Sequence, residues 1–306
     1  MTLAYPFIII NHFTSATRLI PVPIMKQLLI LCMMIGLTTN VTAQQKQQIH
    51  LWPGTVPGET AARHAAKVAP DASNNVTRLT DVTDPVLEIF PATAKNNTGA
   101  SVIICPGGGY SILAINLEGY EIAAWLNKLG YTAFVLQYRV PKNEVGALQD
   151  AQRAIRIVRS RAASLGLNPE KVGMMGFSAG GSLTARAATR SNVNTYTPVD
   201  KADSLSARPA FGMLIYPAYL DRGEARSLTP ELTTDSNTPP MFLFATADDP
   251  YGNSALVMAG ALRDAKVPVE LHFYNKGGHG YGLRPGNAAG EAWPGLAATW
   301  LQHIVK

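Results

Sequence analysis

The sequence predicts an α/β fold, with a mostly parallel central sheet and helices on both faces. Short apolar runs, several of them stopped by Gly or Pro, alternate along the chain with segments of helical period. That alternation means parallel strands covered on both sides. Glycine-rich turns close three of the apolar runs, which places small, conformationally free residues at strand ends. The composition agrees: 306 residues, 47% hydrophobic and only 15% charged, can fill a large core and exclude intrinsic disorder.

Thr77–Thr80 and Val86–Phe90, separated by a short turn, read as an antiparallel lead-in pair. Ser101–Cys105 (SVIIC) is a buried strand stopped by Pro106 and three glycines. In Glu118–Leu129, Ile122, Ala123, Leu126 and Leu129 recur at helical spacing before Gly130. Tyr131–Val140 is a strand that stops at Pro141. Ala147–Leu165 carries Leu148, Ala151, Ile155, Val158 and Ala162 on one stripe, and Gly166 closes it. Strands follow at Lys171–Phe177, Ala210–Tyr216, Met241–Ala245 and Val267–Tyr274. Helices are expected at Ser182–Thr189, Leu256–Ala265 and Ala289–Ile304. The polar, Pro-containing stretch 218–240 reads as a loop or small lid.

The first 43 residues are expected to stand outside this fold. Met25-Lys26, a ten-residue apolar run (Leu28 to Leu37) and Val41-Thr42-Ala43 have the layout of a secretory signal peptide over 25–43. The run is half the length needed to span a bilayer, so no stable membrane anchor is expected. Cys32 lies inside the run and follows Leu31, which argues against a lipid anchor. Residues 1–24 then read as an extension upstream of the true start, and 44–306 as one catalytic domain, exported to the periplasm or beyond. Removal of the leader leaves Cys105 as a lone thiol. A net charge of +5 without a Lys/Arg cluster among aromatics gives no sign of nucleic-acid binding.

Three loops carry the chemistry. Gly176-Phe177-Ser178-Ala179-Gly180 fits G-x-S-x-G between a strand and a small-residue helix. A serine on so sharp a turn needs neighbours without bulky side chains two residues away on either side. Pro106-Gly107-Gly108-Gly109 follows the SVIIC strand, and its free backbone amides suit an oxyanion hole made by Gly107 or Gly108 together with Ala179. It lacks the G-K-[ST] continuation of a phosphate cradle. Gly277-Gly278-His279-Gly280 follows the last strand. Of six histidines, only His279 sits in a glycine-rich loop, whereas His272 alternates with Val269, Leu271 and Phe273 and reads as structural. No two histidines have the i, i+4 spacing of a zinc helix, and no cofactor or metal is called for. Asp248 and Asp249 lie between serine and histidine in the chain; one of them can orient the imidazole, and the other is then a solvated turn acid.

With CPGGGY (Cys105–Tyr110), Glu118-Gly119, GFSAGG (Gly176–Gly181), Asp249-Pro250 and GGHGYG (Gly277–Gly282), the chain resembles esterases and lipases of the α/β-hydrolase superfamily. More narrowly, it is similar to bacterial acetylxylan-esterase-like carbohydrate esterases. The resemblance implies Ser178 as nucleophile, His279 as base, Asp249 as acid, and Gly107, Gly108 and Ala179 as oxyanion donors. It also implies a polysaccharide or small-molecule ester as substrate. Tyr251-Gly252-Asn253 is shorter than the segment usual in such relatives, so Asp248 stays an alternative acid. A prolyl-oligopeptidase-like peptidase and a catalytically silent binding module are the competing readings. The first usually carries a propeller for which the chain has no room, and the second commonly loses a member of the triad. Oligomeric state and acyl specificity are not written in the sequence.

Overall fold

Among the residues that the computed structural model describes, 47–93 and 95–305, the strands in chain order are β1 (Gln48–His50), β2 (Lys67–Val68), β3 (Arg78–Thr80), β4 (Val86–Phe90), β5 (Ser101–Cys105), β6 (Leu113–Ala114), β7 (Thr132–Gln137), β8 (Val172–Phe177), β9 (Gly212–Ile215), β10 (Met241–Thr246) and β11 (Val269–Tyr274). The helices are α1 (Glu121–Lys128), α2 (Glu144–Arg161), α3 (Ala179–Thr189), α4 (Asn253–Asp264) and α5 (Ala288–Ile304). The expected upstream extension, signal peptide and Cys32 lie outside the described residues.

Eight strands form the main sheet in the order β1-β4-β7-β5-β8-β9-β10-β11. β1, β4 and β7 pair antiparallel; from β7 onward every pair is parallel. From β5 the chain crosses through α1 to β7 on one side, and α2 then returns it to β8 on the other. The strand order therefore reverses between β5 and β8, and a crevice opens outside the carboxyl ends of these two strands.

Both faces of the sheet are covered, and the strand period of two shows how. On β9 and β10, Leu214, Met241, Leu243 and Ala245 pack with Ala185 and Ala188 of α3 and Met258 and Leu262 of α4. Their neighbours Met213, Ile215, Phe242 and Phe244 join Trp293, Ala297 and Trp300 of α5 in the other cluster. Trp125 of α1 meets Trp293 edge-on at 5.2 Å, and Phe177 meets it at 5.9 Å. Small residues in α3 let it lie close to the sheet, and all eleven residues of the helix are buried.

The lead-in strands differ from expectation. β3 does not pair with β4 but joins β2 and β6 in a separate small sheet. Both edges of β4 are taken, by β1 and by β7, and four of its five residues are buried, so it is an interior strand with no edge to offer. Two buried charges brace the far side of the sheet. Asp150 takes the Arg139 guanidinium at 2.9 Å and the Trp52 indole N–H at 2.8 Å, joining the N-terminal segment to α2. Breaking such a pair by removing one partner typically costs about 3–5 kcal/mol.

Cys105, at the end of β5, is a free and fully buried thiol, and burial pushes it up, far above the ordinary thiol range. The Cys105 peptide is therefore expected to stay unmodified by iodoacetamide at pH 8 in the native protein and to react fully in denaturant, because the thiolate is the nucleophile. Peptide mass spectrometry reads both states, and rapid native alkylation would contradict the burial.

Candidate active site

Ser178 stands between β8 and α3 at φ 52°, ψ −118°, a strained conformation for a residue with a side chain. Surrounding contacts hold it there. Its N–H donates to the Ile215 carbonyl at 3.1 Å, and its carbonyl accepts from Ser182 and Ala218, each at 3.1 Å. The flanking glycines are needed for close approach. A Cβ on Gly176 would lie 2.0 Å from the Gly180 carbonyl oxygen, and one on Gly180 would lie 2.0 Å from that of Cys105. The expected helix at Ser182 in fact begins at Ala179, directly after the serine.

The histidine loop comes to the serine from β11. His279 Nε2 is 2.7 Å from Ser178 Oγ, and His279 Nδ1 is 2.8 Å from Asp249 Oδ2. A carboxylate only accepts, so the ring proton sits on Nδ1, and Nε2 is left to accept from the serine hydroxyl. The two adjacent acids are separated by this geometry. Asp249 is buried, with Oδ1 accepting the Tyr251 N–H at 2.8 Å while Oδ2 faces the imidazole. Asp248 is exposed, and its Oδ1 accepts the N–H groups of Gly277 and Gly278 at 3.0 and 2.8 Å. Those donors, Gly278 first, hold the Asp248 carboxyl below the usual range. Asp248 therefore shapes the loop that carries His279 and does not touch the ring. His272 pairs with Glu270 at 2.7 Å and packs on Phe242, away from the serine.

The oxyanion expectation needs one correction. The N–H of Gly107 donates to Glu118 Oε2 at 2.7 Å, so it faces away from a reacting carbonyl. Gly108 lines the cleft beside Ser178, and its amide meets no acceptor among the described residues. Ala179 is the first residue of α3, where an amide has no acceptor within the helix. Gly108 and Ala179 are thus the two predicted donors that remain open.

The cleft above the serine has a volume of about 540 Å³. Tyr219 and Tyr251 form an aromatic wall, their rings 5.4 Å apart and edge-on, with Tyr251 5.0 Å from the His279 ring. Asn74, Arg78 and Arg284 add polar groups to the lining. Arg284 donates to the carbonyls of Asn74 and Asn75, and so ties the segment before β3 to the segment before α5. Tyr219 comes from the 218–240 stretch, which contributes a cleft wall and is pinned to α3 by the Arg186–Glu231 ion pair.

Sequence reasoning gave no role to Glu118 or Tyr216. Glu118 is a buried member of the cleft lining, and the Tyr216 hydroxyl donates to its Oε1 at 2.8 Å. Burial pushes the Glu118 carboxyl up, while the hydrogen bonds from Tyr216 and Gly107 and the nearby His279 oppose that rise. The Glu118-Gly119 pair was the only trace of this in the sequence. Among the described residues no group of three or more His, Cys, Asp or Glu side chains is arranged to hold a metal ion.

The BD-FAE family model matches residues 87–207, a span that includes Gly107–Gly109, Glu118 and Ser178. An acetylxylan esterase of Xylanibacter ruminicola is 32% identical over 215 residues, which is 62% of this chain and 42% of that protein. Endo-1,4-beta-xylanase B of Butyrivibrio fibrisolvens is 32% identical over 207 residues, 58% of this chain and 32% of that protein. The chain therefore spans less than half the length of these curated relatives. Among solved structures, the acetyl ester-xyloside bifunctional hydrolase of Caldicellulosiruptor lactoaceticus superposes with a TM-score of 0.69 at 29% identity, covering 85% of this chain and 97% of that one. Fold, ordered motifs and relatives agree: the chain has the α/β-hydrolase fold and resembles the esterases of that superfamily, its acetylxylan-esterase-like members among them.

Proposed function

We propose that this protein is an exported serine carboxylic-ester hydrolase acting on short acyl esters, chiefly acetyl esters of plant polysaccharides or sugars. The observation that carries the reading is the hydrogen-bonded line Asp249–His279–Ser178, with spacings of 2.8 and 2.7 Å, at the floor of an open cleft. His279 Nε2 takes the proton as Ser178 Oγ attacks the ester carbonyl. The Gly108 and Ala179 amides receive the developing oxyanion, a contact worth about 3–4 kcal/mol per donor in related chemistry. The imidazolium, steadied by Asp249, then protonates the leaving alcohol, and water resolves the acyl-enzyme by the same route.

The substrate class is supported by two named relatives, an acetylxylan esterase and an acetyl ester-xyloside hydrolase. A lining that combines tyrosine rings with arginine and asparagine side chains also suits a sugar, which stacks on one face and offers hydroxyls on its edges. Export rests on the signal-like segment at 25–43. A panel of p-nitrophenyl acetate and butyrate, a feruloyl ester and acetylated xylan tests the reading, beside labelling of Ser178 by a fluorophosphonate. Acetyl esters are expected to be cleaved fastest, with acetate released from the xylan. Failure to turn over any ester or to take the label would make the protein a binding module.

A further inference from the structure

Glu118 lies in the lining of the proposed active site as a buried carboxylate with no lysine or arginine paired to it among the described residues. A charge in that position is costly unless hydrogen bonds compensate it, and here both donors come from loops that flank the nucleophile. Oε2 accepts the Gly107 N–H at 2.7 Å, and Oε1 accepts the Tyr216 hydroxyl at 2.8 Å. Tyr216 Oη in turn accepts the Gly282 N–H at 3.1 Å, and the Tyr216 ring meets His279 edge-on at 5.1 Å. Burial keeps the Tyr216 phenol protonated, so its hydroxyl remains the donor.

Local geometry aims the carboxylate. Asn116–Tyr120 is a single π-helical turn closed by the Tyr120 N–H on the Ile115 carbonyl at 2.9 Å, and within it Leu117, Glu118 and Gly119 face inward. Gly107 is wedged between this side chain and the nucleophile. A Cβ built there would lie 2.6 Å from Glu118 Oε2 and 2.9 Å from Ser178 Cβ. Moving Glu118 thus moves the backbone whose next amide, that of Gly108, opens to the cleft.

We infer that Glu118 is a positioning residue for the acylation step, tying the oxyanion loop at Gly107 to the histidine loop at Gly282 through Tyr216. The inference rests on the proposed esterase reading. It separates Glu118 from a stability role, because a tie between the two loops governs transition-state geometry more than ground-state binding.

Three single variants, Glu118→Ala, Glu118→Gln and Tyr216→Phe, and one double variant test it, each assayed for kcat, KM, Tm and the rate of fluorophosphonate labelling. Glu118→Ala is expected to lower kcat on p-nitrophenyl acetate about 10²-fold, with KM within about threefold, since only transition-state contacts weaken. Labelling should slow in parallel, because phosphonylation uses the same oxyanion donors. Glu118→Gln can still accept from Gly107 and can donate to Tyr216 Oη, so it should recover about tenfold of the loss. Tyr216→Phe, which leaves the Gly107 contact intact, should cost about tenfold in kcat. In the double variant Glu118→Ala/Tyr216→Phe the losses should fall short of additive. If Glu118→Ala does not fold, the Gln and Phe variants decide. Values of kcat within twofold of wild type for both, whatever their Tm, overturn the inference while leaving the esterase reading standing. Wild-type protein that neither hydrolyses an ester nor takes the label overturns both.

Discussion

Ser178→Ala is expected to lower kcat on p-nitrophenyl acetate by about 10⁴-fold or more, with little change in Tm. The substitution removes the hydroxyl proposed to attack, since Ser178 Oγ stands 2.7 Å from His279 Nε2, the ring nitrogen left to accept its proton. Alanine keeps Cβ, and the backbone contacts that hold residue 178 at φ 52° come from the main chains of Ile215, Ser182 and Ala218, which the change does not touch. The fold should therefore survive, and the residual rate should report the oxyanion donors and binding alone. Circular dichroism and Tm check the first part, steady-state kinetics the second. Retention of a tenth of wild-type kcat would rule out the serine mechanism.

The second large effect separates two adjacent acids. Asp249→Asn is expected to reduce kcat by about 10²- to 10⁴-fold with little change in KM. The reason lies in how the carboxylate is shared. Asp249 Oδ1 serves the Tyr251 N–H and Oδ2 serves His279 Nδ1, each at 2.8 Å. An asparagine has one acceptor oxygen. With that oxygen on the fixed Tyr251 amide, the NH₂ group faces Nδ1 and selects the tautomer protonated on Nε2, which cannot take the proton from Ser178. Asp248→Asn differs because one oxygen already serves both loop amides, at 3.0 and 2.8 Å, and an asparagine oxygen can do the same. Its cost should stay below about tenfold. Both variants measured on one small ester settle the order, and the reverse ranking would move the orienting role to Asp248.

What was legible in the sequence had a local cause. The serine turn announces itself because two glycines must admit carbonyl oxygens about 2.0 Å from where a Cβ would sit, and no other residue permits that. The strand–helix alternation is legible for the same kind of reason, since burial on two faces imposes its period on neighbouring residues. Even so, a local pattern misled where pairing was concerned. β3 and β4 are close in sequence with a turn between them, and they still belong to different sheets, because β1 and β7 occupy both edges of β4.

The sequence by itself determined the α/β architecture and singled out Ser178 on its sharp turn and His279 in its glycine loop, since each is marked by a short-range backbone demand or a period. Only the tertiary structure decided the rest. Asp249 and not Asp248 faces the imidazole, and Gly107 gives its amide to Glu118 and leaves Gly108 open to the cleft. The Tyr216 hydroxyl that completes this arrangement comes from 98 residues beyond Glu118 in the chain. These choices depend on which donor meets which acceptor after strands distant in sequence have been laid side by side. A hydrogen bond across such a separation leaves no period and no spacing in the chain, because its partners are fixed by the packing of the whole sheet and not by the residues next to them.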